Sequence, residues 1–473
     1  MRQKEYSMRR CVGTRDRRDF LKLTALAGGA ALLPMQVEAQ TGMQAQTKSA
    51  TPVRPVFPGS EQTNPQWQRT WDAALAVLAG NVKTVPKFGH PVLVEGSVYL
   101  GIWQECGPHE GLVYGTLAPY VAAQDGAPSP LQIARNNHRA FFALQYPVGH
   151  ESAGQLPSAI KMSDVGYGQI QMAVPIAATA WELSQLTDDD ELLVTAYSAC
   201  SRWDAWLREF RDTRKTGLVE GFCTYDTGHD NSPRWVGIPN RCPDADARKC
   251  PNIATMPRLC PDLSATVYGA RVALSQMATA LGKPAEADRW RADAETIRHL
   301  IIDRLYDPKD AAFYDLDAQN NFVRVRSDVN SRVFGEHVLH PVKDKAIVDA
   351  VWTRQLHNPK AFWAPYPLTS IAMDDPTFVR PIPRNSWGGA SQALTALRAP
   401  RWMPYYGKQA EMNHMMRQWC EAIMRHTEFR QQMDPLTGEF TQADPSGYSP
   451  AALVFLDYAR RLSTSPAKTT SAP

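Results

Sequence analysis

The run Gly228-His229-Asp230-Asn231-Ser232-Pro233-Arg234-Trp235 sets one carboxylate, Asp230, among aromatic and basic neighbours, just after Gly221-Phe222-Cys223-Thr224-Tyr225-Asp226-Thr227. A carboxyl group walled by Trp235 and Tyr225 loses hydration, which disfavours its charged form and keeps it protonated towards neutral pH. In that state it can donate a proton to a leaving group. The same residues also suit a plain Asx-turn, in which Asp230 or Asn231 caps the backbone and Pro233 ends the local structure.

Other runs gather aromatic and bidentate side chains beside glycine or proline. Trp103 and Glu105 lie in Gly101-Ile102-Trp103-Gln104-Glu105-Cys106-Gly107, Trp363 and Tyr366 in Ala361-Phe362-Trp363-Ala364-Pro365-Tyr366-Pro367, and Asn385 and Trp387 in Arg384-Asn385-Ser386-Trp387-Gly388-Gly389. Each tryptophan taken alone also fits an ordinary core. In loops, aromatic faces stack on the C–H surface of a sugar ring, and Glu, Asn, Gln and Arg match its paired hydroxyls.

The elements that must position these loops read as helices. Apolar residues recur at spacings of three and four over 67–78, 131–144, 169–186, 191–210, 264–281, 284–305, 343–356, 391–397, 408–426 and 450–462. Leu263-Ser264-Ala265-Thr266 leads into Val267, Ala270, Val272, Ala273 and Met277, and Gly282-Lys283-Pro284 supplies the stop. Helical pairs without alternating strands predict an all-α ring of hairpins, an (α/α)6 toroid whose connecting loops build a pocket at one end. An irregular helical array is the competing arrangement, and no fixed-period repeat supports a solenoid.

The octet 228–235 resembles the Gly-x-Asp-x-Ser-Pro-Arg-Trp signature of inverting α-glycosidases of the glycoside hydrolase family 63 type, the group of trehalase, the processing α-glucosidases and mannosylglycerate hydrolase. Asn385-Ser386-Trp387-Gly388 resembles a degenerate form of that group's Trp-Arg-Gly-Pro-x-Trp loop, and Ser446-Gly447-Tyr448-Ser449-Pro450-Ala451-Ala452-Leu453 its closing segment. The resemblance runs from about Glu105 to Leu462. It implies an exo-acting, cofactor-independent hydrolase cleaving an α-linked glucosyl or mannosyl unit with inversion, Asp230 serving as general acid. Tyr225, Arg234, Trp235, Trp103, Glu105, Trp363, Tyr366, Asn385, Trp387 and Gln431 are the candidate substrate contacts.

Inversion also requires a carboxylate that deprotonates water. By the resemblance it belongs in the segment Phe429-Arg430-Gln431-Gln432-Met433-Asp434-Pro435, where Gln431 stands at its position. A neutral amide cannot take that proton. Glu428 or Glu439 nearby can supply the base, Glu105 or another loop acid can replace it, or the chain binds sugar without hydrolysis. A polysaccharide lyase on the same toroid is a further alternative, with Tyr225, His229 and Arg234 recast around a uronate.

The chain starts with a basic stretch to Arg18. The motif Arg17-Arg18-Asp19-Phe20-Leu21-Lys22, the apolar segment 23–33 and the small-x-small site Val37-Glu38-Ala39 follow. This predicts a twin-arginine signal peptide over 1–39, too short in its apolar part for a membrane helix. A tether over 40–60, the catalytic domain over 61–463 and a tail over 464–473 complete the expected organisation, with a periplasmic or secreted product. The 51 basic and 48 acidic residues come close to balance once the leader is set aside, so no nucleic-acid partner is expected. The expected partners are a carbohydrate substrate and the twin-arginine (Tat) export machinery, without stable membrane insertion. Among the cysteines, a bridge within Cys242, Cys250 and Cys260, reaching towards Cys223, is expected over zinc, because no Cys-x-x-Cys pair is present. His337 and His340 lack the His-Glu-x-x-His arrangement, and no metal or cofactor is expected.

Overall fold

Apolar periodicity of 3.6 residues, interrupted by Pro and Gly, yields twelve α-helices among the residues the computed structural model describes: 52, 65–123, 125–383, 386–441 and 445–464. The expected leader, nearly all of the tether, and the tail beyond its first residue lie outside them, as does Asn385. In chain order the helices are α1 (Gln66–Asn81), α2 (Gly107–Thr116), α3 (Pro130–Ala143), α4 (Ile176–Thr187), α5 (Asp190–Phe210) and α6 (Pro261–Ala280). They continue with α7 (Pro284–Leu305), α8 (Val329–Gly335), α9 (Lys345–Val351), α10 (Ala393–Trp402), α11 (Gln409–His426) and α12 (Ser449–Thr464).

Helix contacts close a ring. The sequence of neighbours α2–α4–α6–α8–α10–α12 returns to α2, giving six inner helices, and α3, α5 and α7 each pack behind the preceding inner helix. Helix α1 packs on α12, so the two ends of the described domain together make one hairpin. Inner helices are buried almost all round: α12 keeps residues 449–459 inside, including Leu453, Val454, Phe455 and Leu456. Helices with that all-round apolar character belong in a core. This is the expected six-hairpin toroid.

Two helices escaped the periodicity. Gly107, Gly111 and Gly115 disguise α2, since glycine lowers helix propensity. They are required by proximity: a Cβ at Gly111 would come within 2.7 Å of the Asn137 side chain, and one at Gly115 within 3.0 Å of Ala134 Cβ. The short α8 was likewise not anticipated. Conversely, the expected helix over 169–186 begins only at Ile176, because Pro175 stands at its N-cap and Gln171 adopts a left-handed conformation.

Short antiparallel strands fix the loops over the ring. Gly101–Trp103 pairs with Ala159–Lys161, Ser391–Gln392 pairs with Gln432–Met433, and Glu220–Gly221, Arg258–Leu259, Asp315–Leu316 and Phe322–Val323 form one sheet. The predicted disulfide is not formed. All seven described cysteines are free thiols, Cys223 and Cys242 standing 3.7 Å apart. No described helix is long and apolar enough to cross a membrane.

The ring is sealed where its ends meet. Asn81 Nδ2 donates to Gly447 O (2.7 Å) and Ser449 Oγ (2.9 Å), Ser449 N donates to Glu95 O (2.7 Å), and Ser97 N donates to Gly447 O (3.2 Å). Asn81→Ala removes both side-chain bonds and leaves the part-buried Gly447 carbonyl with the longer Ser97 N–H bond alone. We expect a loss of about 1–3 kcal/mol in urea denaturation; unchanged stability would show that the seam is held by apolar packing alone.

Candidate active site

Asp230 lies in the loop between α5 and α6, and its position follows from how that loop is anchored. Asp226 is buried and accepts from Ile170 N (2.9 Å), Phe222 N (2.7 Å) and both terminal nitrogens of Arg211, which fixes the loop's entry. Its exit is fixed by Arg234. The buried guanidinium donates to Asp262 at 2.7 and 2.8 Å and to Asp315 at 2.6 and 2.7 Å, two bidentate pairs that use its fork geometry fully. Between these anchors Asn231 has φ of 56°, and Trp387 N donates to Asp230 O at 3.0 Å.

His229 completes the support. Arg234 Nη1 can only donate, so its 3.0 Å contact makes His229 Nδ1 the acceptor and leaves the proton on Nε2, which donates to Asp328 Oδ1 at 2.6 Å. Burial, reinforced by Arg332, lowers the imidazole to about 4, so it is neutral in the folded chain. Burial alone would raise Asp262, but Arg234 and Arg332 outweigh it and hold the carboxyl at about 2.

The pocket beside this loop is lined by Glu95, Tyr99, Trp103, Glu105, Gln171, Gly228, Asp230, Trp387, Leu394 and Gln431. The structure therefore brings together Asp230, Trp103, Glu105, Trp387 and Gln431 from the sequence candidates. Gly228 has φ of 65°, and a Cβ there would fall 1.5 Å from Glu105 Oε2, so both conformation and space demand glycine. Glu105 accepts from Gln171 Nε2 at 3.3 Å through Oε1, while its buried Oε2 has no hydrogen-bond partner. Burial raises the Glu105 carboxyl against the opposing pull of Arg398 and Arg332.

Several candidates are placed elsewhere. Arg234 is consumed by Asp262 and Asp315 and is a clamp for the loop, not a sugar contact. Trp235 is turned into the core with its indole N–H on Thr227 Oγ1 (3.0 Å), and Tyr225 packs against the Phe222, Cys223 and Cys242 cluster. Trp235 therefore does not wall Asp230 as the sequence suggested; Tyr225 stays near enough for the Asp230 charge to act on it, and Trp387 lines the same pocket as Asp230. Trp363 stacks among Trp352, His357 and His414, and Tyr366 lies between Gly438 and Arg425. Glu439 is exposed and paired with Arg425 and His426, and Glu428 is paired with Arg430, so neither lines the pocket.

Glu95, Tyr99, Gln171 and Leu394 were not foreseen. The available signal for Glu95 was an acid closing the apolar run Val92-Leu93-Val94 before Gly96, a place where a surface side chain is unexpected. The carboxyl accepts from Tyr448 O–H at 2.5 Å, and Tyr99 O–H donates to Gln431 Oε1 at 2.9 Å. Burial, then the nearby Glu110, pushes Glu95 well above the usual carboxylate range despite the Tyr448 bond; burial also raises Glu110 to about 7.

Potential metal ligands gather at Cys223, Asp226 and Cys242, and at Cys260, Asp262 and Asp315. Their carboxylates already hold Arg211 and Arg234, which supply the positive charge a cation would bring.

Arg234→Met would strand Asp262 and Asp315 as buried anions. We expect a loss of about 3–5 kcal/mol in denaturant titration, together with displacement of Asp230; a variant as stable as the parent would remove the clamp from the account.

The comparisons agree with this architecture. The mannosylglycerate hydrolase of Thermus thermophilus, solved with Tris and D-glycerate, superposes with a TM-score of 0.62 at 17% identity, covering 83% of this chain and 100% of that one. Neutral trehalase of Saccharomyces cerevisiae gives 0.56 at 14% identity over 80% of this chain and 77% of its own, and a family 78 rhamnosidase of Bacillus sp. GL1 gives 0.54 at 14% over 85% and 35%. At these identities the likeness is one of fold. No protein with a curated description matches the chain. Residues 130–449 match the mannosylglycerate hydrolase MGH1-like glycoside hydrolase domain, two thirds of the sequence, and the chain belongs to that family of glycoside hydrolases.

Proposed function

We propose that this glycoside hydrolase is an inverting α-glycosidase that removes an α-linked glucosyl or mannosyl unit, with Asp230 as general acid. The observation that carries the reading is the placement of Asp230 at the wall of an acid-lined pocket that it shares with Glu95, Glu105 and Gln431, on a loop locked by Arg234. Trp103 and Trp387 offer the aromatic faces that suit a pyranose, and Glu105, Gln171 and Gln431 offer groups that pair with hydroxyls. The mannosylglycerate hydrolase and the trehalase among the similar structures support the substrate class.

Protonation of the glycosidic oxygen by Asp230 lets the C1–O bond break through an oxocarbenium-like state while water attacks the opposite face. No Lys or Arg stands among the described lining residues, and Arg234 is committed elsewhere, so the charge neutralisation that a uronate lyase needs finds no donor there. The motif at Arg17-Arg18 and the apolar segment behind it support export by the twin-arginine route to the periplasm or beyond.

The test is a screen of α-linked disaccharides and glycosyl glycerates, followed by NMR of the first-formed anomer. Asp230→Asn is expected to lower kcat by about 10²–10⁴-fold with folding and sugar binding retained. A variant that keeps parental turnover, or an α-anomer released first, would overturn the assignment.

A further inference from the structure

Resting on the inverting reading, one role remains without an owner: the group that takes the proton from water. Gln431 is an amide, and Glu428 and Glu439 lie off the pocket in ion pairs. Glu105 reaches the pocket but sits directly against Gly228, two residues from Asp230. Its Oε1 accepts from Gln171 and its Oε2 fills the space that Gly228 leaves open, so its carboxyl braces the loop that carries Asp230.

Glu95 shares the pocket with Asp230, near enough for the Asp230 charge to act on it. It belongs to the segment that seals the ring at the start of α12, its main chain held by Ser449 N (2.7 Å) and Gly101 O (2.9 Å) and its side chain by Tyr448 O–H (2.5 Å). In the ring order, α12 stands three places from α6, the helix that follows the Asp230 loop. Tyr99, whose ring lies 6.0 Å from that of Tyr448, bonds Gln431, making Glu95, Tyr99, Tyr448 and Gln431 one continuous wall. Both Glu95 and Asp230 line the same pocket.

We infer that Glu95 is the general base of this enzyme, deprotonating the attacking water in the pocket it shares with Asp230, with Gln431 beside it holding substrate or water by hydrogen bonds. The step balances. The water oxygen bonds to C1 as the C1–O glycosidic bond breaks, the leaving oxygen receives the Asp230 proton, and the water proton goes to Glu95. Exchange with solvent returns both groups to their starting states.

Beneath the wall, Glu110 on α2 tunes this base. It is fully buried and neighbours both Glu95 and the Cys106 thiol, whose hydrogen bond eases its burial. The groups acting on Glu95 are Glu110 from α2, Glu105 just before it, Asp230 in the shared pocket and Tyr448 from the α12 junction; the Cys106 thiol adjoins the pair. Three of these are carboxyls, which makes the ionised base hard to form and strongly basic once formed. Activity should rise with pH as Glu95 ionises, and Glu110 is a positioning residue that sets where that rise occurs.

The experiment uses the mature protein and an α-glycoside that the parent hydrolyses, with parental turnover measured first. No parental turnover on any α-glycoside counts against the glycosidase reading and this inference together; parental turnover with an unaffected Glu95→Gln counts against the inference alone. The expected result is a fall in kcat of at least a hundredfold for Glu95→Gln with KM within about threefold and the fold intact by circular dichroism. A KM that rises as kcat is kept would make Glu95 a binding group and overturn the role. Glu110→Gln tests the same claim without touching the base: the acidic limb of its kcat profile should move to lower pH. A limb that stays in place overturns the coupling, including where Glu95→Gln fails to fold.

Discussion

A guanidinium buried as deeply as that of Arg234 is tolerable only when its charge is met and all its donors are used, and Asp262 and Asp315 do both. Because those acids come from the start of α6 and from a strand some fifty residues later, the pairing binds three remote pieces of chain to one point. Everything at the pocket inherits this. The fixed guanidinium dictates the tautomer of His229, which in turn donates to Asp328 at the base of α8, so the loop is attached to two inner helices by side chains alone. Asp230 is thereby presented on a rigid support, which is the condition under which a proton donor is useful, since small displacements of a reacting group are costly in rate.

The second organising fact is the gathering of acids around one cavity. Glu95, Glu105 and Asp230 line it, and Glu110 lies behind. Like charges in a poorly hydrated space cannot all ionise, so protons distribute among them. A hydrolase that inverts needs one protonated and one ionised carboxyl at the same moment, and such a cluster provides that division without a metal being invoked in any step. Arg332 and Arg398 moderate it from below by favouring the charged form of Glu105.

Ring closure and the pocket wall are joined in the same residues. Ser449 and Tyr448 at the start of α12 bind Glu95, while Asn81 at the end of α1 binds Ser449 and Gly447. The chain's two ends must therefore meet before the wall carrying Glu95 exists. A toroid suits this arrangement, because it makes the last element the neighbour of the first and brings distant acids to a common axis.

The periodic apolar pattern determined the helical class, most helix positions and the hairpin logic, because those depend on residues three or four apart and on local stop signals. The octet at 228–235 stood out through its resemblance to a family signature, which contiguous residues carry; its local chemistry alone suited a plain turn as well. What the sequence could not decide was direction. Arg234 and Trp235 are adjacent to Asp230 yet turn inward, since their partners, Asp262, Asp315 and Thr227, become neighbours only through folding. Glu428 and Glu439, close in sequence to Gln431, were drawn to surface cations, and Glu95 entered the pocket from over three hundred residues away in the chain. Local chemistry fixes which elements form; which side chains share a cavity is settled by long-range pairing of charge and by close packing, and neither has a signature at short spacing.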